Sequence, residues 1–270
     1  MRGVLMLIEV KNIIKDYNVG LFGKGTFRAV DNVSFSIKEG ETLGLVGESG
    51  CGKSTLARLI LMLIKPTSGN ILYNGKDLTK MSFLQLQNLR KEMQIVFQHP
   101  QQSLNPRMKI YDSIAEPLRL HKLVTNKYEE KELVFRLIQS VGISTELLQR
   151  YPHELSGGQC QRVAIARVLA LKPKFIVADE PTSMLDVSVQ AQILHLIKEL
   201  QKEYNIGMLF ISHDLEVVQA ISDNIAVMHW GKLVEIGSQK QIFMNPNHSY
   251  TKHLISAILD VPENDDSYAI

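Results

Sequence analysis

Residues Gly47–Thr55 read GESGCGKST, and every other stretch of the chain is interpreted from there. An apolar run, Thr42–Val46, leads in, and a helix-forming run, Lys53–Leu63, leads out. Gly-x-x-x-x-Gly-Lys-Ser between a strand and a helix is the arrangement of a P-loop. Gly47, Gly50 and Gly52 let the backbone turn tightly and bring its N–H groups up to a polyphosphate. The helix points its positive N-terminal end at the same anion. Lys53 reaches the β- and γ-phosphates, and the Ser54 hydroxyl can ligate Mg²⁺. Glu48, Ser49, Cys51 and Thr55 complete the predicted cradle. A glycine-rich turn with no ligand is the plain alternative. The bare pattern arises by chance in about one per cent of chains this long, and placement between strand and helix makes that rarer still. Nucleotide binding is therefore expected. The loop by itself does not separate a kinase, a GTPase, a motor and a transporter subunit.

At 270 residues the chain is long for one simple core but fits one α/β domain with an inserted subdomain. Lys plus Arg number 30 against 28 Asp plus Glu. A protein that grips nucleic acid usually shows a basic excess, so no nucleic-acid partner is expected. The two cysteines, Cys51 and Cys160, fall inside the motifs and leave no disulfide framework, which suits a reducing cytosol. The apolar run Val4–Ile8 is too short for a signal-peptide core or for a span, which needs ~20 apolar residues. The chain is expected to be soluble by itself, and other chains must hold it at any membrane where it works. Met6 is a second candidate start.

Leu7–Ile13 reads as a strand, Gly20, Gly23 and Gly25 as loop markers, and Ala29–Ile37 as a second strand. These predict an antiparallel β layer ahead of the nucleotide core. Tyr17 is either a ring for adenine to stack on or an ordinary packed aromatic. Pro66 and Gly69 end the P-loop helix. A strand at Asn70–Tyr73, a turn at Asn74-Gly75, a short helix over Leu84–Arg90 and a strand Gln94–Phe97 ending at Gln98 follow. From Ile110 to Gln149, apolar residues recur at helical spacing, with Leu133, Val134, Leu137, Ile138 and Val141 in one stripe. This is a helical insertion or a helical part of the core. Either way it is a separate layer, because strands resume only at Phe175.

Leu155–Arg162 reads LSGGQCQR, and Ser156 and Gln159 have capping-box spacing. Glycine inside a helix costs about 1 kcal/mol relative to alanine. Gly157 and Gly158 make sense where the backbone must approach a ligand or another chain. The helix runs to about Leu171, and Pro173 ends it. Phe175–Ala178 reads as a buried parallel strand that ends in Asp179-Glu180, where an α/β sheet binds ligands. Asp179 can hold the Mg²⁺ shell and Glu180 can polarise a water; the alternative is an exposed acidic turn. Asp186 caps a helix whose buried stripe is Val189, Ile193, Leu196, Ile197, Leu200 and Tyr204. Met208–Ser212 is the next strand. His213 at its end either enters a helix beside Asp214 or reaches a γ-phosphate. A hairpin, Asn224–Met228 and Lys232–Ile236 around Gly231, a short helix from Ser238, a last helix Tyr250–Leu259 and a polar end, Glu263–Ile270, close the chain.

Taken in order, GESGCGKST, Gln98, LSGGQ, the Phe175–Glu180 strand, SMLD at Ser183–Asp186 and His213 resemble the ATP-binding subunits of ABC transporters. The likeness covers Leu7 to about Leu259. It implies an α/β fold of ABC ATPase type, a single domain over 1–260. A P-loop NTPase (RecA-like) core occupies about 7–98 and 172–245, with an N-terminal antiparallel β layer, an inserted helical subdomain at about 99–171, and a C-terminal helix and tail at 246–270. It implies that Tyr17 stacks on adenine, that Gln98 senses Mg²⁺ and the attacking water, and that Asp179 is the Mg²⁺-side aspartate. Glu180 is then the general base and His213 the switch histidine. Ser156, Gly157, Gly158 and Gln159 close on ATP bound to the opposite subunit, and Asp186 is a dimer contact. SLNPRM at Ser103–Met108, DVSVQAQIL at Asp186–Leu194 and NPNHSYTKHL at Asn245–Leu254 resemble the oligopeptide, dipeptide and nickel importer branch. Cys160 and Ser249 depart from that branch, which often has a basic or larger residue and a proline there. The resemblance implies ATP and Mg²⁺ as cofactors. It also implies membrane permease subunits, a second ATPase subunit and, indirectly, a solute-binding protein as partners, at the cytoplasmic face of the membrane. The competing expectation is a non-transport ABC ATPase acting on DNA or the ribosome. That class usually carries coiled coils, zinc sites or two fused units, and this chain has one P-loop and no cysteine set.

Overall fold

The computed structural model describes residues 6–19 and 25–259, so Gly20, Gly23 and the Glu263–Ile270 end lie outside the described residues. Strands β1 (Met6–Val19) and β2 (Gly25–Lys38) pair antiparallel from Met6↔Lys38 to Val19↔Gly25. Both are longer than the alternating stretches predict, and Gly25 begins a strand instead of marking a loop. Register shifts around Asn12, whose φ is 50°, let the ladder continue past the points where alternation fails. β4 (Ser68–Tyr73) adds to β1, and β5 (Lys76–Asp77) to β4, giving the order β2-β1-β4-β5. The Asn74-Gly75 turn between them has φ of 47° and 75°, the geometry of a tight hairpin turn.

A six-stranded sheet has the order β10-β9-β3-β8-β7-β6. It is built from β3 (Thr42–Val46), β6 (Met93–Val96), β7 (Phe175–Asp179), β8 (Gly207–Ile211), β9 (Asn224–His229) and β10 (Lys232–Ser238). Only β10 runs antiparallel to its neighbour. The period of two along each strand divides its residues between two cores. Leu43, Leu45, Phe175, Val177, Leu209 and Ile211 meet the antiparallel sheet and α1 (Lys53–Ile60). Val46, Ile176, Ala178, Met208, Phe210 and Val227 face the other way, onto helices.

Those helices are α4 (Ile110–Leu120), α5 (Lys127–Ser140), α6 (Gly157–Leu169), α7 (Val187–Glu203), α8 (Leu215–Ile221), α9 (Gln239–Met244) and α10 (Ser249–Leu259); two short ones, α2 (Phe83–Leu89) and α3 (Pro100–Ser103), flank β6. One cluster joins Leu137 and Ile138 of α5 to Val163 of α6, Ile193 of α7 and Phe210 of β8 without a break. Helix ends differ from the sequence reading by one to three residues, as at α2, which ends at Leu89, and α6, which ends at Leu169. α1 stops at Ile60 instead of Leu63, because Met62 turns to φ 51° to bury its side chain. Tyr204 is the exposed C-cap of α7 and no part of its buried stripe.

Glu130 of α5 is 5% exposed and takes both arms of Arg119 at 2.7 Å, plus the Tyr111 hydroxyl at 2.9 Å. The Arg119 hydrogen bonds hold the Glu130 carboxyl below its ordinary value, against burial, which pushes it up. A lowered carboxylate contributes stability above the ordinary glutamate value of 4.5 and loses it as pH falls. Glu130→Ala should therefore destabilise the fold by about 1–3 kcal/mol at neutral pH. The difference from wild type should shrink in thermal melts at acid pH.

Candidate nucleotide-binding and hydrolysis site

The four neighbouring strands β3, β8, β7 and β6 end side by side, and their C-terminal ends lead into Gly47, Ser212-His213, Asp179-Glu180 and Gln98. This is the edge at which α/β sheets take ligands. The loop from Gly47 to Gly52 curls around its own lysine. Lys53 Nζ donates to the Gly47 carbonyl at 2.6 Å and the Glu48 carbonyl at 2.9 Å, and the residue is 5% exposed. Gly52 has φ 112°, and a Cβ there would collide with the Ala29 carbonyl oxygen. That close approach ties the loop to β2.

A cavity of about 270 Å³ opens above the loop, lined by Ser49, Gly50, Gly52, Lys53, Ser54, Thr55, Gln98 and Glu180, with Phe27 and Ala29 at one side. Phe27 is 52% exposed and pairs directly across the hairpin with Tyr17, so the two rings share a face. Tyr17 itself is 36% exposed, with the Lys15 ammonium 5.1 Å from its ring centre. The sequence reading picked Tyr17 and missed Phe27. The hairpin register was the signal that could have found it.

Ser54 Oγ donates to Asp179 Oδ1 at 3.2 Å. Burial pushes the Asp179 carboxyl up, the Ser54 hydrogen bond pulls it back, and neighbouring Glu180 adds to the rise. A hydroxyl and a carboxylate side by side, with a second carboxylate adjacent, form an oxygen-only donor set that suits Mg²⁺ alongside phosphate oxygens. Glu180 follows at φ 48°, a left-handed turn that costs an L residue roughly 1–2 kcal/mol. Its N–H still donates to Ile211 of β8 at 3.0 Å, so the kink is held. The turn sets the carboxylate between two side chains. Gln98 Nε2 donates to Glu180 Oε2 at 3.0 Å, and His213 Nδ1 lies 3.2 Å from the same oxygen. Gln98 Nε2 also reaches Ser183 Oγ at 3.3 Å, a contact the sequence reading missed. With its N–H engaged, the Gln98 oxygen is the atom free to face a metal ion.

Ser156 and Gln159 make the full capping box of α6: Gln159 N–H donates to Ser156 Oγ at 3.3 Å, and Ser156 N–H to Gln159 Oε1 at 3.0 Å. None of residues 156–159 lines the cavity over the loop of the same chain. A Cβ at Gly158 would press on the Val189 methyl group of α7, so glycine lets α6 and α7 pack closely there. Asp186 is exposed and caps α7, accepting from Val189 N–H at 2.9 Å and Ser188 Oγ at 2.8 Å. The Val189 N–H and the Ser188 hydroxyl hold its carboxyl below the usual range. Both cysteines are buried, and burial pushes both thiols up.

The sequence profile described as ABC transporter matches residues 30–183. The chain belongs to the ABC transporter family. It is 52% identical over 259 residues to the oligopeptide transport ATP-binding protein OppF of Streptococcus mutans, covering 96% of this chain and 82% of that one. It is 50% identical over 254 residues to the dipeptide transport ATP-binding protein DppF of Lactococcus lactis, covering 93% and 81%. Among solved structures, the dimeric ATP-binding cassette MJ0796 bound to ADP and phosphate aligns with TM-score 0.78 at 29% identity, over 86% of this chain and 98% of that one. CbiO1 of Clostridium perfringens, part of an ABC transporter complex, aligns with TM-score 0.78 at 31% identity, over 95% and 96%. Membership makes ATP the nucleotide and this ABC chain a transport ATPase. A DNA- or ribosome-directed role is not favoured by relatives named as transport proteins.

Proposed function

We propose that this chain hydrolyses Mg²⁺-ATP to power peptide uptake through a separate membrane permease. The observation that carries the chemistry is the Glu180 carboxylate, held by Gln98 and His213 beside the Ser54–Asp179 pair. Phe27 and Tyr17 offer ring faces to adenine, and the loop N–H groups and Lys53 take the phosphates. Ser54, Asp179 and the Gln98 oxygen would hold Mg²⁺, which would supply charge neutralisation at the phosphates. Glu180 accepts a proton from water as the water oxygen bonds to the γ-phosphorus. The bond to the ADP oxygen breaks, giving ADP and phosphate. His213 and Gln98 keep the base aimed.

In this reading residues 156–159 serve ATP bound to a second copy or a related ATPase chain; none of them lines the cavity over their own loop. Asp186 is exposed and caps the helix whose Val189 lies against Gly158, and it is read here as a dimer contact. The relatives' names favour peptide over nickel as cargo. In this reading a solute-binding protein delivers it to the permease. Among the described residues no helix is long and apolar enough to cross a membrane. In this reading the permease holds the chain at the cytoplasmic face of the membrane. A groove of about 340 Å³ beside α4 and α6 fits that contact. It exposes Phe97 and Leu120 and is edged by the Arg167–Glu116 ion pair at 2.8 Å. Leu120→Glu should lower peptide uptake by cells at least roughly tenfold while ATP affinity stays unchanged. Purification from native membranes in gentle detergent tests the whole reading. Two polytopic membrane proteins, a second ATPase and a solute-binding protein should come along. Recovery with ribosomes or DNA alone sinks it.

A further inference from the structure

The P-loop is held from behind by the segment that follows the last strand. Tyr250, the second residue of α10, lays its ring on His229 at the end of β9, with centroids 3.8 Å apart and planes 18° from parallel. Its hydroxyl accepts a hydrogen bond from the Glu48 N–H at 3.2 Å. Tyr250 is fixed in turn. Its own N–H donates to His248 Nδ1 at 3.1 Å, and Glu235 of β10 accepts from the Asn247 N–H at 2.8 Å and the His248 N–H at 3.1 Å.

The Glu48 N–H and the Gly47 carbonyl belong to one planar trans peptide and point in opposite directions. On the far side that carbonyl accepts from Lys53 Nζ at 2.6 Å. One peptide plane is thus held at both edges, by a tyrosine hydroxyl and by the lysine ammonium. An ammonium has three donors. Two are engaged by the Gly47 and Glu48 carbonyls, and the third makes only a long 4.0 Å contact to Cys51 Sγ, a weak acceptor that a phosphate oxygen can displace. Rotation of this peptide would move the carbonyl that aims it.

We infer that Tyr250 is a positioning residue for nucleotide binding, acting through the Gly47–Glu48 peptide on Lys53. This rests on the phosphate-binding role proposed above for Lys53. It makes the chain around α10 a working part of the nucleotide site, since the segment must fold back for the loop to be set.

Tyr250→Phe keeps the ring and its stack on His229 and removes only the hydroxyl. Calorimetric titration of the full chain should show ATP and ADP affinity falling about 3–10-fold, the scale of one lost hydrogen bond, with the thermal midpoint lowered by no more than about 2–4 °C. In a Lys53→Ala background, titrated above that variant's Kd, Tyr250→Phe should have no further effect on ADP affinity, because the group it positions is gone. Unchanged affinity in the single variant, or an equal further loss in the Lys53→Ala background, overturns the inference. Undiminished affinity in Lys53→Ala alone overturns the P-loop reading instead.

Discussion

Glu180→Gln should lower ATP turnover at least ~100-fold, the low end for loss of a general base, while ATP still binds. The structure makes this substitution a clean one. Gln98 and His213 both meet the same carboxylate oxygen, Oε2, and an amide oxygen placed there can keep both contacts. The left-handed backbone at φ 48° and the N–H bond to Ile211 do not depend on the side chain's charge. What is lost is the second oxygen's basicity, and with it the acceptor for the proton of the attacking water. Single-turnover hydrolysis and a separate binding titration check the two halves. Near-normal turnover removes Glu180 from the role of base. Loss of binding together with turnover would mean the site had collapsed, which the retained contacts argue against.

Lys53→Ala should weaken ATP binding about 10–100-fold, the scale of hydrogen bonds to a charged group. The ammonium is buried inside its own loop and held by two carbonyls, so its direction is set before any phosphate arrives. Truncation removes the charge and the donor aimed at the phosphates, and it releases the two carbonyls that shape the loop. Hydrolysis should fall with binding, in contrast to Glu180→Gln. If both ATP affinity and hydrolysis survive, the loop does not bind phosphate in the way its sequence implies.

Much of this site was legible as separate pieces. Each piece is local: an apolar run, then a glycine turn or a pair of carboxylates at a strand end. Gly47–Thr55, Asp179-Glu180 and His213 could each be placed at the end of a strand from the apolar run that precedes it. The capping box at Ser156–Gln159 formed as its spacing required. Phe27 escaped notice because its place beside Tyr17 depends on hairpin register, and register shifts along β1 hide it from simple alternation. Tyr250 escaped because its partner, Glu48, is 202 positions away. The end of α1 was misplaced because burial of Met62 overrides helix continuity, a tertiary effect. That Gly158 packs against Val189 of the same chain also could not be read locally, because Val189 lies on the next helix.

The sequence by itself determined the nucleotide chemistry and the α/β class, because phosphate cradling and strand-to-loop transitions are written in contiguous residues. The tertiary structure alone decided that Gln98, Glu180 and His213 converge. Their strands stand side by side in the order β3-β8-β7-β6, while the chain makes them in the order β3-β6-β7-β8. Parallel strands are joined by long crossovers, so which strand lies beside which is set by how the helices pack over the sheet, and no local pattern records it.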